Sequence, residues 1–84
     1  MQNAERKETP VTMGLRIASR RTLLDMSGGQ LADAVGVSRE WISAIENGRT
    51  TRLSAMVLMK IAETLGVTET WILRGDSEST ASAA

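Results

Sequence analysis

The groups in this chain able to do chemistry are guanidinium, carboxylate, hydroxyl and amide, because its 84 residues include neither Cys nor His. Thiol nucleophiles, disulfides, cysteine–histidine zinc sites and histidine general bases are therefore excluded. A carboxylate or Ser/Lys site stays formally open. No carboxylate pair is placed for acid–base work, however, and Asp25 and Asp33 read as solvated surface. Without a nucleophile–base or metal constellation, the expectation is a protein that is not an enzyme and uses no metal or cofactor. What the chain does offer is arginine, which supplies most of its ten basic residues. A planar guanidinium suits two-pronged contacts to bases and phosphates, although a GC-rich coding sequence would produce the same bias.

The elements that must position these groups are helical. Hydrophobic residues make up 42% of the chain, yet it has two Trp and no Phe or Tyr. Its core is therefore aliphatic, built from residues that mostly favour helix. The formal net charge is zero, which argues against coating nucleic acid or membrane by charge alone. That zero is a sum of unlike parts. Residues 16–52 carry six arginines against four acidic residues, and residues 53–84 carry two basic residues against four acidic ones. No apolar run is long enough to span a bilayer, and the polar start MQNAERKETP is no secretory signal. The expected location is the cytoplasm.

Five helices are predicted, over roughly 10–24, 28–35, 39–47, 54–65 and 69–74. Gly36, Gly48, Gly66 and Gly75 each follow one of these stretches, as expected just past a helix end. Thr9 before Pro10, or Thr12 a little later, can start the first helix. Ser27 and Gln30 have the spacing of a capping box, and Ser38, Ser54 and Thr68 can cap the others. The expected division is an N-terminal arm over 1–9, a folded domain over 10–75 and an unstructured tail over 76–84.

The most informative stretch is GGQLADAVGVSREWISAIENG, residues 28–48. Leu31 and Val35 share one helix face, and Ile42 and Ile45 share a face of the next. Two short helices joined by so brief a turn must cross steeply. Ala32 is small enough for the crossing, and Gly36 can take the positive φ of the turn. This pattern closely resembles the helix-turn-helix of the Cro and phage-repressor (XRE) family. The resemblance rests on Leu31-Ala32, Gly36-Val37-Ser38, Ile42-Ser43 and Ile45-Glu46-x-Gly48. Outside this stretch it continues in Met13-Gly14-x-Arg16-Ile17, in Leu58-x-Lys60-Ile61-Ala62-x-x-Leu65-Gly66-Val67 and in Trp71-Ile72-Leu73-x-Gly75-Asp76, so it covers about residues 12–76. It implies an all-α, compact five-helix lambda-repressor-like domain with the helix-turn-helix at helices 2 and 3. The chain departs from the family at Gly28, where Gln is frequent, at Arg20, where Leu is frequent, and in the stretch Arg49 to Leu53, which lacks the usual Asn-Pro-Ser exit.

The resemblance implies that residues 39–47 lie in the DNA major groove with their N-terminal side chains at base edges. Arg39 becomes the principal base reader, able to bond guanine O6 and N7 together. Glu40 could accept from a cytosine amino group, Ser43 could bond a base or phosphate, and Ala44 could touch a thymine methyl. Ser38, Trp41, Asn47, Arg49, Thr50, Thr51, Arg52 and Gln30 are the expected phosphate contacts, with Arg16, Arg20 and Arg21 adding backbone contacts from the first helix. Plainer readings stand beside these. An exposed Arg is commonly just solvated, and Glu40 near a helix start complements the dipole. Ser43 can back-bond to a carbonyl, Gln30 can simply cap, Trp41 can be edge-of-core, and Glu46 can pair with an Arg.

Trp71, Ile72 and Leu73 form an apolar cluster. Leu73 and one neighbour are expected to close the core, with Trp71 and Ile72 the candidates for a dimer contact. The implied partner is double-stranded DNA, as a palindromic operator bound by a homodimer with half-sites about ten base pairs apart. The leading expectation is a sequence-specific transcriptional regulator, most simply a repressor. The alternatives are the antitoxin of a toxin–antitoxin pair, against which the apolar-poor tail counts, and a protein-interaction module on the same fold.

Overall fold

Among the described residues, each helix starts at a hydroxyl residue that caps it. A computed structural model describes residues 11–75 and places five helices there: α1 (Met13–Leu23), α2 (Gly28–Val35), α3 (Arg39–Glu46), α4 (Ala55–Leu65) and α5 (Glu69–Arg74). The expected arm over 1–9 and the tail over 76–84 lie outside the described residues. The first helix begins at Met13 and not at residue 10, because Val11 and Thr12 are not helical and Thr12, the later of its two candidate starts, is the cap. Thr12, Ser27, Ser38, Ser54 and Thr68 each accept a backbone N–H from the third residue of their helix. Each such cap contributes about 1 kcal/mol. At α2 the bond is reciprocal, Gln30 N–H donating to Ser27 Oγ at 3.0 Å and Ser27 N–H to Gln30 Oε1 at 2.7 Å.

The end of α1 lacks the glycine that the other helices have. Asp25 takes the left-handed position there, at φ 59°. Around it, Asp25 N–H donates to Thr22 O and Met26 N–H to Arg21 O, the paired bonds of a Schellman motif. A side chain in that region costs free energy that glycine avoids, partly offset by glycine's greater freedom when unfolded. Asp25→Gly is therefore expected to stabilise the domain by about 0.5–1 kcal/mol, read as a higher melting temperature. A lower one would contradict the left-handed assignment.

The core is aliphatic throughout: Ile17, Leu31, Ala32, Val35, Ile42, Ile45, Ile61, Ala62, Leu65 and Ile72 are buried, with Trp41, Val57, Leu58, Val67 and Trp71 packed around them. The order of the α5 cluster differs from the sequence expectation. Ile72 is fully buried and closes the core, whereas Leu73 is 51% exposed. Ile72 is thus no dimer contact in this conformation, because none of its surface reaches solvent. The reason is how α5 is held: buried Arg16 reaches from α1 and donates from Nε to Ile72 O at 2.8 Å and from Nη2 to Leu73 O at 3.1 Å. That fixes which side of so short a helix faces inward.

Arg16 is one of three α1 arginines that serve the fold, a role the sequence reading did not give them. Arg20 donates from Nε to Leu65 O at the end of α4, at 2.8 Å. It occupies a position where the family often has Leu, and it satisfies a carbonyl that the helix itself leaves open. Arg21 grips Glu46 with two parallel bonds, Nε to Oε2 at 2.8 Å and Nη2 to Oε1 at 2.9 Å, and donates from Nη1 to Met26 O at 2.8 Å. The Glu46 hydrogen bond holds the Arg21 guanidinium above its usual range, against the opposing effect of burial. Glu46 therefore has the structural role that sequence offered it. Together these arginines tie α1 to the ends of α3, α4 and α5.

Gly14 brings α1 against α3 more closely still. A Cβ at this position would overlap the carbonyl oxygen of Ile45 and lie 2.8 Å from that of Glu46. The two backbones meet with no side chain between them. The last turn of α3 is thus held from behind by Gly14 and by the Arg21–Glu46 pair.

Candidate nucleic-acid interface

The turn between α2 and α3 is built as its residues require. Gly36 adopts φ 89°, and both its N–H and that of Val37 donate to Ala32 O, at 2.8 and 3.0 Å. Ala32 is buried. Ser38 then caps α3, its oxygen accepting Trp41 N–H at 3.0 Å. The Ser38 hydroxyl proton is left to donate elsewhere.

α3 turns Ile42 and Ile45 inward and keeps Trp41 half-buried against the core. Its opposite side presents Arg39, Glu40, Ser43 and Asn47 to solvent, with Ala44 half-buried beside them. The fold thus brings the four expected base readers onto one accessible surface. Asn47 lies along that surface and donates from Nδ2 to Ser43 Oγ at 3.3 Å. Asn47 ends α3 as its C-cap, one residue earlier than the predicted helix.

The expected phosphate contacts follow in a rim. Gln30 is exposed at the start of α2, and its carbonyl oxygen is committed to the capping box, leaving the amide N–H groups as donors. After α3 the chain leaves through a Schellman-type end, Gly48 at φ 78° and Arg49 N–H donating to Ala44 O at 2.8 Å. Arg49, Thr51 and Arg52 are exposed; Thr50 is half-buried and its hydroxyl accepts Arg52 N–H at 3.2 Å. The α1 arginines and Glu46 bond within the domain, whereas Arg39, Glu40, Arg49 and Arg52 are exposed on and just after α3.

Sequence reasoning missed two features. One is Gly14, which the sequence presents only as part of a matching pattern. The other is the seat of Arg39: its side chain lies back over the first turn of α2, beside Gly29. A helix-start glycine with no turn to make was the available signal. Among the described residues, no group of three or more Asp or Glu is placed to hold a metal ion, and no helix is long and apolar enough to cross a membrane.

Two short helices crossing at a glycine turn, the second fixed from behind and polar in front, define a helix-turn-helix DNA-binding transcriptional regulator. The chain belongs to the helix-turn-helix family, whose model matches residues 17–72. Among solved structures it is similar to the P22 c2 repressor in complex with a synthetic operator, at 31% identity and TM-score 0.75, over 80% of this chain and all of that one. It is also similar to SinR of Bacillus subtilis, the master regulator for biofilm formation, in complex with DNA. There the identity is 30% and the TM-score 0.69, over 73% of this chain and 97% of that one. The restriction-modification controller protein C.AhdI of Aeromonas hydrophila is similar at 25% identity and TM-score 0.68, over 75% of this chain and 94% of that one. The resemblance to Cro and the phage repressors therefore holds for the fold as a whole.

Proposed function

We propose that this domain represses transcription by occupying an operator, with α3 in the major groove and Arg39 reading guanine. The observation that carries this reading is the outer surface of α3. Arg39, Glu40, Ser43 and Asn47 are exposed together on a helix whose back is pinned by Gly14 and the Arg21–Glu46 pair. A helix held this rigidly needs little rearrangement on meeting base edges. Ser38, Gln30, Asn47, Arg49, Thr51 and Arg52 flank the groove on phosphates, while Thr50 and the Trp41 indole contribute from half-buried positions. The operator complex of the P22 c2 repressor and the DNA complex of SinR support the partner. The domain binds as a dimer on a palindromic site, with exposed Leu73 and half-buried Trp71 supplying apolar contact from α5. Its place of action is the cytoplasm, and no catalysis is involved.

Selection of bound duplexes from a random pool tests this directly. The expected product is an inverted repeat with half-site centres about ten base pairs apart; no enrichment over the starting pool would refute the reading. The enriched duplex then gives a second measurement. If only Arg49 and Arg52 meet phosphates, log K falls against log salt with a slope of about −2 per protomer or shallower. A slope steeper than about −5 per protomer would mean that cations other than these contact DNA as well.

A further inference from the structure

Gly29 occupies the second position of α2, where glycine is the least favourable ordinary residue for a helix. Its usual justifications do not apply there. The glycines with positive φ are Gly36, Gly48, Gly66 and Gly75, so the backbone at Gly29 is one that any residue adopts. Unlike Gly14, it touches no neighbouring backbone. A methyl group at Gly29 would instead lie 3.5 Å from Arg39 Cδ and 3.9 Å from Arg39 Nε, with Ser27 Oγ at 3.9 Å. At the adjacent Gly28 it would meet nothing within 4 Å. The space left by the missing side chain of Gly29 is the space beside the stem of Arg39.

We propose that Gly29 is a specificity-determining position that acts through Arg39. Resting on the base-reading role of Arg39, this adds the part that aims it. An exposed arginine has four side-chain torsions and no fixed direction of its own. Laid beside Gly29 in the first turn of α2, its stem is confined on one side, which limits the directions open to the guanidinium. Any side chain extending beyond Cβ at position 29 takes the place of Cδ and Nε and redirects the guanidinium. Gly29 is a positioning residue and bonds no base itself.

The test uses Gly29→Ala and Gly29→Val, each alone and combined with Arg39→Ala. Binding is measured on the selected operator and on the same duplex with the read guanine replaced. A methyl at 3.5 Å makes ordinary contact, so Gly29→Ala keeps its discrimination within about twofold and melts no lower than the parent. Valine is rigid in a helix and cannot swing clear of the stem. Gly29→Val is expected to lose discrimination by about tenfold or more, approaching the value for Arg39→Ala, with an unchanged melting temperature. In the Arg39→Ala background it should change nothing further. Full discrimination in Gly29→Val would overturn the proposal. So would an equal loss in both backgrounds, which would mean a direct clash with DNA. Full discrimination in Arg39→Ala would remove the base-reading role itself and the proposal with it.

Discussion

Replacing Gly14 with Ala is expected to lower the melting temperature by more than about 12 °C, from a loss of about 3 kcal/mol or more. The usual effect of this substitution inside a helix is the opposite, because alanine favours the helix by about 1 kcal/mol. That gain is present here and is outweighed. The added Cβ meets the carbonyl oxygens of Ile45 and Glu46, which are backbone atoms of α3 and have no rotamer through which to yield. To relieve the overlap, α1 must move away from α3. Arg21 and Glu46 then separate, and the buried Ile17 loses its fit against its neighbours. Thermal unfolding followed by circular dichroism reads the result, with Gly28→Ala as the control at an open position. A higher melting temperature for Gly14→Ala would mean that α1 and α3 do not meet at their backbones.

Arg39→Ala has the largest expected effect on DNA binding and almost none on the fold. A two-pronged arginine–guanine contact contributes about 1–3 kcal/mol of discrimination. Its removal should weaken binding to the operator by about 5- to 150-fold for each half-site. Arg39 is exposed and contributes nothing to the core. It also stands in the first turn of α3, where the helix dipole disfavours a cation. The melting temperature is therefore expected to stay level or rise slightly. Arg52→Ala supplies the contrast. Removing a cation that meets a phosphate weakens all duplexes alike and makes the salt slope shallower by about one unit per protomer. If Arg39→Ala also weakens all duplexes equally, its contact is to phosphate.

The local structure was largely legible in the residues. A hydroxyl before a helix and a glycine after it act over a few positions, so Ser27, Ser38, Ser54 and Thr68 marked their helix starts, while for the first helix Thr12 was one of two candidates and the predicted start at 10 was too early. Ala32 and Gly36 announced the steep crossing, because only small side chains and a positive φ permit it. The roles of the arginines were harder to see, since their partners are distant carbonyls such as Leu65 O and Ile72 O. An arginine that caps another helix has the same local signature as one that waits for a phosphate. A partial signal was present: Met13, Ile17, Arg20 and Arg21 fall on one side of α1, and Ile17 is fully buried. In α5 the helix has six residues, too few for periodicity to distinguish Ile72 from Leu73. The Arg39 seat beside Gly29 depends on how α2 and α3 approach in space, which spacing alone does not specify.

Methylation interference on the selected operator tests the central claim most directly, because methylation of guanine N7 blocks the major-groove edge where Arg39 is placed. Methylating the read guanine in each half-site should abolish binding by the parent protein and make no difference to Arg39→Ala. Interference confined to adenine N3 would place the protein in the minor groove, and guanine interference of equal strength in Arg39→Ala would give the reading of that base to another residue. Either result would contradict the assignment of α3 and Arg39.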